Sequence, residues 1–441
     1  MHVVFRNDDV SVEHDAERFK KFCGIFHKYG FVQLHGVTPY GRTSTRKGEG
    51  EHGFVYPGRD RIDLLDWRDI VSLSENIGIS DNPELVGYLN SIPDPIALHG
   101  PYHYDFTQLS AREQEEAIGR GLAALARYFP HKAVADFIPP FNKYNEDTRR
   151  ACEKYGLRLH EPDGEHLEAL IHYKNRWSLA DGVTYRYHHH RFYEHSAFSH
   201  YNLSLDKLNR FFMHVSPVRP LVPIENYKRC VAESGADAWF GYAYEKFEEL
   251  KQCYFPYQWI RDNIADRAYS IAETGCGAGG TLHMLWHEGF TSLHGYDADE
   301  TVLESARRIC REAGSSIAVT RRDCTRDEPM EKVDVLLGMN WMYLVPGFSL
   351  DTFLGIYRKY INEGGYCIFD VIDSAFNEHP LNRFFTQDWK KPEEERRPSE
   401  YLERWSEDMV LALAVKHGLR HVATQAVEYT IPRKVYVLQK A

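Results

Sequence analysis

Two runs of alternating predicted strands and helices, separated by a proline-rich segment, constrain this chain more than any other feature. The first run starts at HVVFRN (2–7), and the second starts at SIAETG (270–275). Such alternation predicts parallel strands covered by helices. The segment SPVRPLVPI (216–224) carries three prolines and no hydrophobic period, which is typical of a linker. The sequence therefore predicts two α/β domains, over 1–220 and 238–441.

Length and charge support two domains and exclude some partners. The chain has 441 residues, more than the roughly 250–300 that one hydrophobic core usually serves. Its 53 Lys and Arg against 64 Asp and Glu give a net charge of −11, which disfavours nucleic acid as the main partner. No apolar run reaches the ~18 residues of a membrane span, and charges interrupt the start of the chain. We expect a cytoplasmic protein without a membrane partner, and its oligomeric state stays open.

Cysteine usage indicates a reducing environment. The eight cysteines are scattered and form no C-x-x-C pair. This pattern predicts buried free thiols rather than a disulfide framework.

A first group of polar residues follows predicted strands in the first domain. Asp8 and Asp9 end the first strand, and His99 and His103 come just after the strand IALHG. Gly100 disfavours a helix, so the H-x-x-x-H pair is predicted on a loop at the strand end, where ligands bind in parallel sheets. One carboxylate and two imidazoles leave positions open on a divalent metal, as catalytic sites require. A second carboxylate beside the metal can serve as general base.

Three segments carry a family resemblance. FRNDDVS (5–11), LHGPYHYDF (98–106) and FIPPFN (137–142) resemble the first three motifs of the polysaccharide deacetylase superfamily. The resemblance covers about residues 1–220 and implies an irregular (β/α) barrel. It also implies amide hydrolysis at a metal site.

The resemblance assigns roles to particular residues. Asp8 becomes the general base, while Asp9, His99 and His103 become ligands of a divalent metal, with zinc as the first choice. The family's general acid is a histidine near the last strand, and we expect FFMHV (211–215) to be that strand. His214 is then the best match.

Other features of the first domain leave alternatives open. His190 and His200 are weaker candidates for the acid. The family's third motif usually carries an Arg that tunes the base, but Phe137 or Ile138 stands there, and Arg6 is a possible substitute. If the run at 188–190 lies on a strand, only its first and last histidines share a face. An exposed or pocket-lining strand is then a simpler interpretation than a metal site.

A second group of residues marks the second domain. AETGCGAGG places Glu273, Gly275, Gly277 and Gly279 between a strand and a helix, where glycines permit a tight turn and close approach of a ligand. A nicotinamide dinucleotide site uses a related pattern, so the turn alone does not discriminate. Asp297 ends the next strand, where its carboxylate can accept both hydroxyls of a ribose.

The set then resembles the class I S-adenosylmethionine-dependent methyltransferases over about residues 238–441. That family has a Rossmann-like doubly wound sheet ending in a reversed hairpin, which RKVYVLQK matches here. The resemblance implies that Glu273 and the glycines hold the methionine portion, Asp297 the ribose and Asp323 the adenine. MNWMYLVP (339–346) lacks the N/D-P-P-Y motif of nucleic-acid amino methyltransferases and is similar to the branch that acts on small molecules. Trp341 and Tyr343 in this segment either line the site of the methyl acceptor or pack in the core.

Together the two halves predict a bifunctional enzyme. A metal-dependent deacylase would expose an amine, and a methyltransferase would modify the same small N-acylated sugar, sugar nucleotide or related metabolite. One alternative is a small-molecule methyltransferase whose first domain only binds substrate. A metal-dependent oxygenase is a second, disfavoured by the strand–helix alternation, and a scaffold without turnover is a third.

Overall fold

The computed structural model describes residues 3–12, 14–40, 78–173, 177–193, 203–215, 221–427 and 429–441. The chain divides into two compact units, Met1–Ser216 and Pro217–Ala441. The segment 221–237, left between the two predicted domains, belongs to the second unit. His200 and the first half of the predicted linker, 216–220, lie outside the described residues. No helix in the described ranges combines the length and apolar character needed to cross a bilayer.

The first unit alternates strands with helices. Its strands are β1 (Val4–Val10), β2 (Gln33–Val37), β3 (Ile96–Leu98), β4 (Asp136–Phe137), β5 (Arg158–Leu159), β6 (Glu165–His166) and β7 (Thr184–Tyr187). Its helices are α1 (Ala16–Lys28), α2 (Pro83–Ser91), α3 (Ala111–Tyr128), α4 (Glu146–Lys154), α5 (Leu167–His172) and α6 (Leu205–Val215). Short 3-10 turns lie at 79–81, 106–108, 140–142 and 189–192.

These seven strands form one curled parallel sheet in the order β5-β4-β3-β2-β1-β7-β6. The order is that of a (β/α) barrel, with β1 between β2 and β7. The irregular barrel expected from the resemblance is found in part: among the described residues, β5 and β6 do not pair, so the sheet is a half-barrel. Both edge strands have only two residues, and an exposed polar turn at 161–164 joins them where a covering helix would be needed.

The core of the first unit is aromatic and explains its helices. Phe19, Phe22 and Phe26 recur at helical spacing along α1 and are fully buried. The ring of Phe26 meets those of Phe5 on β1 and Phe212 on α6, with centroids 5.1 and 4.7 Å apart. This packing holds α1 and α6 near β1, the strand that carries the acidic doublet.

The expectation that FFMHV forms a last strand is wrong. Residues 205–215 form the helix α6, and the Ser204 hydroxyl accepts a hydrogen bond from the backbone N–H of Lys207 at 3.1 Å at its start. Leu208, Phe211 and Phe212 follow helical spacing and are fully buried. The longer amphipathic period therefore overrides the short β-favouring run, and His214 lies in the last turn of a helix.

The second unit is built on seven more strands. These are β8 (Ser270–Thr274), β9 (Ser292–Asp297), β10 (Ala318–Arg321), β11 (Val333–Gly338), β12 (Ile361–Ile372), β13 (Leu419–Val427) and β14 (Arg433–Lys440). The helices are α7 (Ile224–Ser234), α8 (Trp239–Glu245), α9 (Lys251–Asn263), α10 (Gly280–His287), α11 (Glu300–Ala313), α12 (Leu350–Tyr357) and α13 (Glu407–Lys416).

The strand order here is β10-β9-β8-β11-β12-β14-β13. All neighbours are parallel except β14, which runs antiparallel to β12 and β13. This confirms the Rossmann-like sheet with a reversed terminal hairpin. The pairing of Thr274 with both Gly338 and Tyr296 brings the ends of β8, β9 and β11 to one edge. Ligands bind at that edge in sheets of this kind.

All eight cysteines are free, and six of them are buried. The prediction of buried thiols without disulfides is confirmed.

Candidate functional site

The acidic doublet at the end of β1 splits into two environments. Asp8 is buried, and Arg6 donates to both of its oxygens, Nε to Oδ1 at 2.9 Å and Nη2 to Oδ2 at 2.8 Å. The same guanidinium reaches Oδ1 of Asn142 at 2.6 Å. Asp9 has a left-handed backbone, with φ of 65°, where the register between β1 and β2 is also irregular. The left-handed backbone lets adjacent carboxylates serve separate sets of partners.

Asp9 gathers histidines from two distant parts of the chain. Its Oδ1 lies 2.9 Å from Nε2 of His99 and 3.0 Å from Nε2 of His103. His188, which follows β7, places its Nε2 3.4 Å from Oδ2. Burial alone would raise the pKa of Asp9, but these three imidazoles, His103 most strongly, hold the pKa well below its usual range. The predicted trio of Asp9, His99 and His103 is therefore brought together, on a loop as expected, with His188 beside it.

The tautomer of His99 makes this cluster suitable for a cation. Its Nδ1 lies 2.9 Å from the carbonyl oxygen of Ile138, which can only accept, so Nδ1 carries a proton. In a neutral ring, Nε2 then presents a lone pair to an oxygen of Asp9 only 2.9 Å away. Two acceptors at that distance need a second proton or a metal ion between them. The ligand atoms of Asp9, His99 and His103 all lie within 4.8 Å of one another, which fits one ion.

His188 is held by a buried acid on its other side. Glu168 on α5 is fully buried, and its Oε1 accepts the backbone N–H of His188 at 3.0 Å and lies 3.4 Å from Nδ1. Burial alone would lower the pKa of His188, but Glu168 and Asp9 outweigh it and raise the pKa. Sequence analysis noted His188 only within the histidine run. Its place directly after a strand was the available signal, whereas nothing local marked Glu168.

The predicted general acid lies elsewhere. The ring of His214 packs against Trp177, with centroids 5.0 Å apart, beside Phe211 in the core. His190 does not share a strand face with His188, because 189–192 is a 3-10 turn rather than strand. Phe137 and Ile138 are buried in the core, and Arg6 is the arginine that meets Asp8.

In the second unit, the glycine-rich turn joins β8 to α10 as expected. Gly275, Gly277 and Gly279 have φ of 65°, 56° and 75°, a region that only glycine enters at little cost. The backbone N–H of Gly277 donates to Oδ2 of Asp297, at the end of β9, at 2.9 Å.

Glu273, the acid on β8, is buried beneath this turn. It is 4% exposed, and its Oε2 has no hydrogen-bond partner among the described residues. Burial, with the negative charge of Asp297 in addition, raises the pKa of Glu273 to about 8, and a hydrogen bond with Thr281 offsets only part of this. A buried oxygen without a donor fits a ligand group that supplies one.

Two aromatic rings pack against the glycine-rich turn. A Cβ added to Gly275 would lie 2.4 Å from Cδ1 of Trp341, and one added to Gly277 would lie 2.4 Å from Cε1 of Phe240. The indole Nε1 of Trp341 is also buried and has no hydrogen-bond partner in the part of the chain that the structure describes. The missing side chains of Gly275 and Gly277 thus allow these two rings to pack directly against the backbone of the turn. Phe240 was not singled out from sequence, because nothing near it in the chain marks the turn.

Asp323 lies on the neighbouring strand end. Its Oδ1 accepts from the backbone N–H and the hydroxyl of Thr325, at 3.0 and 2.6 Å, and Oδ2 pairs with Arg326 at 2.9 Å. The backbone N–H of Arg322 donates to the carbonyl of Asp297 at 2.8 Å, which joins the two strand ends. The predicted ribose and adenine acids therefore lie on adjacent strands of one sheet edge.

Residues 271–365 match the family model of the methyltransferase domain. This unit carries a methyltransferase domain. The match to this family model does not extend into the first unit. A search of curated protein sequences found no similar protein.

Solved structures similar to the chain include several methyltransferases. Magnesium protoporphyrin IX methyltransferase from Synechocystis PCC 6803, with bound SAH, is 11% identical, covering 53% of this chain and 99% of its own at a TM-score of 0.38. An S-adenosylmethionine-dependent methyltransferase from Clostridium acetobutylicum ATCC 824 is 14% identical, covering 45% and 98% at 0.34. A protein from Pyrococcus horikoshii OT3 is 16% identical, covering 44% and 92% at 0.36.

A buried network of polar side chains lies next to β11 and β12 in the methyltransferase domain. The hydroxyl of Tyr343 donates to Oδ2 of Asp370 at 2.9 Å, and the backbone N–H of Asn340 donates to Oδ1 at 2.7 Å. Arg433 at the start of β14 donates to Asp370 and to Asn340 at 3.3 and 3.1 Å. Burial raises the pKa of Asp370 despite these donors. Tyr343 is thus a core residue of this network, whereas Trp341 lies against the glycine turn.

Proposed function

We propose that the chain is a bifunctional enzyme, in which the first unit removes an acyl group from a nitrogen and the methyltransferase domain methylates the same molecule. The observation that carries the hydrolytic half is the contact between Nε2 of His99 and Oδ1 of Asp9. Because Nδ1 of His99 carries the proton, its Nε2 and the carboxylate of Asp9 are two acceptors in contact, and we infer that a cation lies between them and His103. Such a donor set with open positions is typical of catalytic divalent metal ions.

Asp9, His99 and His103 would hold the metal, with zinc as the first choice. A bound metal ion would lower the pKa of its water to roughly 7 and polarise the amide carbonyl. Asp8 is assigned the general base: Arg6 occupies one lone pair on each carboxylate oxygen and so orients the group, leaving the others to take a proton from water.

His188 replaces His214 as the proposed general acid. His188 lies beside Asp9, at the carboxyl ends of the strands β7 and β1. Glu168 orients its ring through Nδ1, and the raised pKa of His188 favours the protonated ring. A protonated Nε2 can donate to the nitrogen that leaves when the amide bond breaks. The ring of His214 packs against that of the partly buried Trp177 instead.

In the second unit, Glu273 and the turn at 275–279 would hold the methionine portion of S-adenosylmethionine, Asp297 its ribose and Asp323 its adenine. Bound S-adenosylmethionine supplies an electrophilic methyl group. Glu273 supports this assignment because its Oε2 lacks a donor among the described residues, and the glycines because only glycine adopts their positive φ values at little cost. Trp341 and Phe240 would then exclude water from the bound cofactor.

The proposed substrate is a small N-acylated sugar, a sugar nucleotide or a related metabolite. Support comes from the joining of the two chemistries in one chain, since deacylation exposes an amine that a methyltransferase can use. No nucleic acid or membrane partner is part of this proposal, in keeping with the net charge of −11.

Metal content tests the hydrolytic half. Wild-type protein, stripped with a chelator and reloaded with zinc, should hold one more ion per chain than the Asp9→Ala/His99→Ala variant, measured by mass spectrometry of the metal. His131→Ala, at an exposed histidine, is the matched control and should bind as the wild type does. Release of acetate from N-acetyl sugars should disappear with the ion. Equal metal content in the wild type and the double variant would overturn the deacylase and leave a methyltransferase whose first domain binds substrate.

A further inference from the structure

We propose that His14, His189 and His190 form a second divalent metal site, of a kind that takes zinc, cobalt or nickel. His14 follows β1, while His189 and His190 follow β7, the strand paired with β1. One nitrogen from each ring can be chosen so that all three lie within 4.8 Å of one another. The rings of His14 and His189 are 4.1 Å apart. None of these residues is among the ligands assigned to the first metal.

A buried chain of hydrogen bonds determines the tautomer of His189. The backbone N–H of His189 can only donate, and it meets Oδ1 of Asn7 at 3.2 Å, which identifies that atom as the acceptor oxygen. The Nδ2 of Asn7 therefore donates to Nδ1 of His35 at 3.2 Å, and Nε2 of His35 donates to Asp94 at 2.9 Å. Oδ1 of Asn7 also lies 3.0 Å from Nδ1 of His189, so that nitrogen carries the proton.

The other nitrogen of His189 is consequently a bare lone pair. Its Nε2 is buried without a hydrogen-bond partner among the described residues, and the residue has no exposed surface. Leaving such an acceptor unsatisfied costs about 1–3 kcal/mol. A ring held through Nδ1 by a neighbouring oxygen, with Nε2 free, is the arrangement in which histidine ligates metals.

The chemistry of the donor set points to the class of ion. Three imidazole nitrogens without a carboxylate suit zinc, cobalt or nickel rather than magnesium or calcium, which prefer oxygen. Nδ1 of His14 lies 3.1 Å from both the backbone nitrogen and the carbonyl oxygen of Ser11, and these contacts hold the ring beside His189. Phe19 packs against His189 at 4.9 Å and shields that side of the site from water.

An ion at the three-histidine site would stabilise the position of His188 beside the first metal site. His188 lies between them, with Nε2 3.4 Å from Asp9 and its ring 5.7 Å from that of His190. An ion held by His189 and His190 would anchor the 3-10 turn at 189–192, which directly follows His188. The metal site itself does not rest on the proposed hydrolysis, because none of its residues is assigned a step there.

Metal stoichiometry with cobalt tests this inference on the full chain. After chelation and reloading, the wild type should hold about two Co²⁺ per chain, and His14→Ala and Asp9→Ala/His99→Ala about one each. The exposed His131→Ala is again the control. The Co²⁺ left in Asp9→Ala/His99→Ala should show nitrogen-rich coordination by X-ray absorption and should disappear when His14→Ala is added. His190→Ala is the second variant if His14→Ala does not fold, as judged by circular dichroism.

The outcomes separate the two metal proposals. If the wild type holds one ion that only Asp9→Ala/His99→Ala loses, the three-histidine site is overturned while the deacylase metal stands. If the wild type holds one ion that is lost in His14→Ala and kept in Asp9→Ala/His99→Ala, the deacylase metal is overturned while the three-histidine site stands. Oxygen-dominated coordination in Asp9→Ala/His99→Ala would also overturn the three-histidine site.

Discussion

At the scale of single residues, the contrast between Asp8 and Asp9 organises the first unit. The two carboxylates are adjacent in the chain, yet one is held by a guanidinium and the other by imidazoles. Arginine matters here because its planar fork matches both oxygens of Asp8 at once. Lysine would supply the charge at a single point and leave one oxygen and Asn142 without their present donors.

The Arg6→Lys variant is therefore expected to lose activity without losing metal. We expect a fall of roughly tenfold in the deacylation rate constant, because the base is no longer oriented, and a loss of about 2 kcal/mol in stability from the imperfectly paired buried charges. Metal content, rate against pH and urea unfolding measure the three quantities. A variant with unchanged rate would show that the orientation of Asp8 is not used in catalysis.

Glu273 predicts a pH dependence of the stability of the methyltransferase domain. The pKa of Glu273 rises from its ordinary value of 4.5 to about 8 on folding, so the folded state keeps a proton that the unfolded state releases between these values. The free energy of unfolding should therefore fall as pH rises through this window, by a few kcal/mol in total.

Glu273→Gln should remove that slope, because its amide stays neutral, and should also weaken S-adenosylmethionine binding about tenfold or more. Urea unfolding and calorimetric titration from pH 5 to 8.5 provide the measurements. Glu225→Gln, at an exposed glutamate, is the control and should keep the slope. The same slope in Glu273→Gln would assign it to another group.

At the scale of elements, two turns show different uses of glycine, because Gly275 lies between β8 and α10 whereas Gly314 ends α11. Gly275 and Gly314 have nearly equal φ, 65° and 63°, so an alanine at either position meets the same backbone strain. Space around Gly314 is open, whereas Gly275 lies against Trp341. The pair therefore separates conformational freedom from close approach.

Gly314→Ala should cost about 1 kcal/mol and change the affinity for S-adenosylmethionine by less than about twofold. Gly275→Ala should cost at least about twice as much and reduce that affinity about tenfold or more, because its Cβ would lie 2.4 Å from the indole. Thermal unfolding and calorimetric titration give both values. Adding Trp341→Ala to Gly275→Ala should recover part of the lost stability. If the effects of the two substitutions on stability are strictly additive, the contact between residue 275 and Trp341 does not account for the loss.

At the scale of the whole molecule, the division between Ser216 and Pro217 predicts two ligand responses. Zinc should stabilise only the first unit and S-adenosylhomocysteine only the second, since ligands stabilise the unit that binds them. At one hundred times the dissociation constant, each gains about 2.7 kcal/mol.

Differential scanning calorimetry should therefore resolve two transitions that move independently, one with zinc or chelator and the other with S-adenosylhomocysteine. Asp9→Ala/His99→Ala should weaken the first response and leave the second unchanged. A single transition that both ligands move together would show that the two units unfold cooperatively.

Local patterns in the amino-acid sequence were enough to predict several features of the fold. Alternating periods predicted both parallel sheets, Gly100 placed the H-x-x-x-H pair on a loop, and the spacing of the glycines predicted the turn after β8. Steric rules for glycine and the period of buried side chains act over a few residues. These properties are therefore readable without a fold.

Tertiary structure alone decided which side chains meet. His188 reaches Asp9 because β7 pairs with β1, although some 180 residues separate the two strands in the chain. The packing of Phe211 and Phe212 against the aromatic core made a helix of the segment that carries His214, and so removed it from the sheet edge. Strand order and core packing are set by the whole chain at once, because each contact depends on elements far apart in sequence.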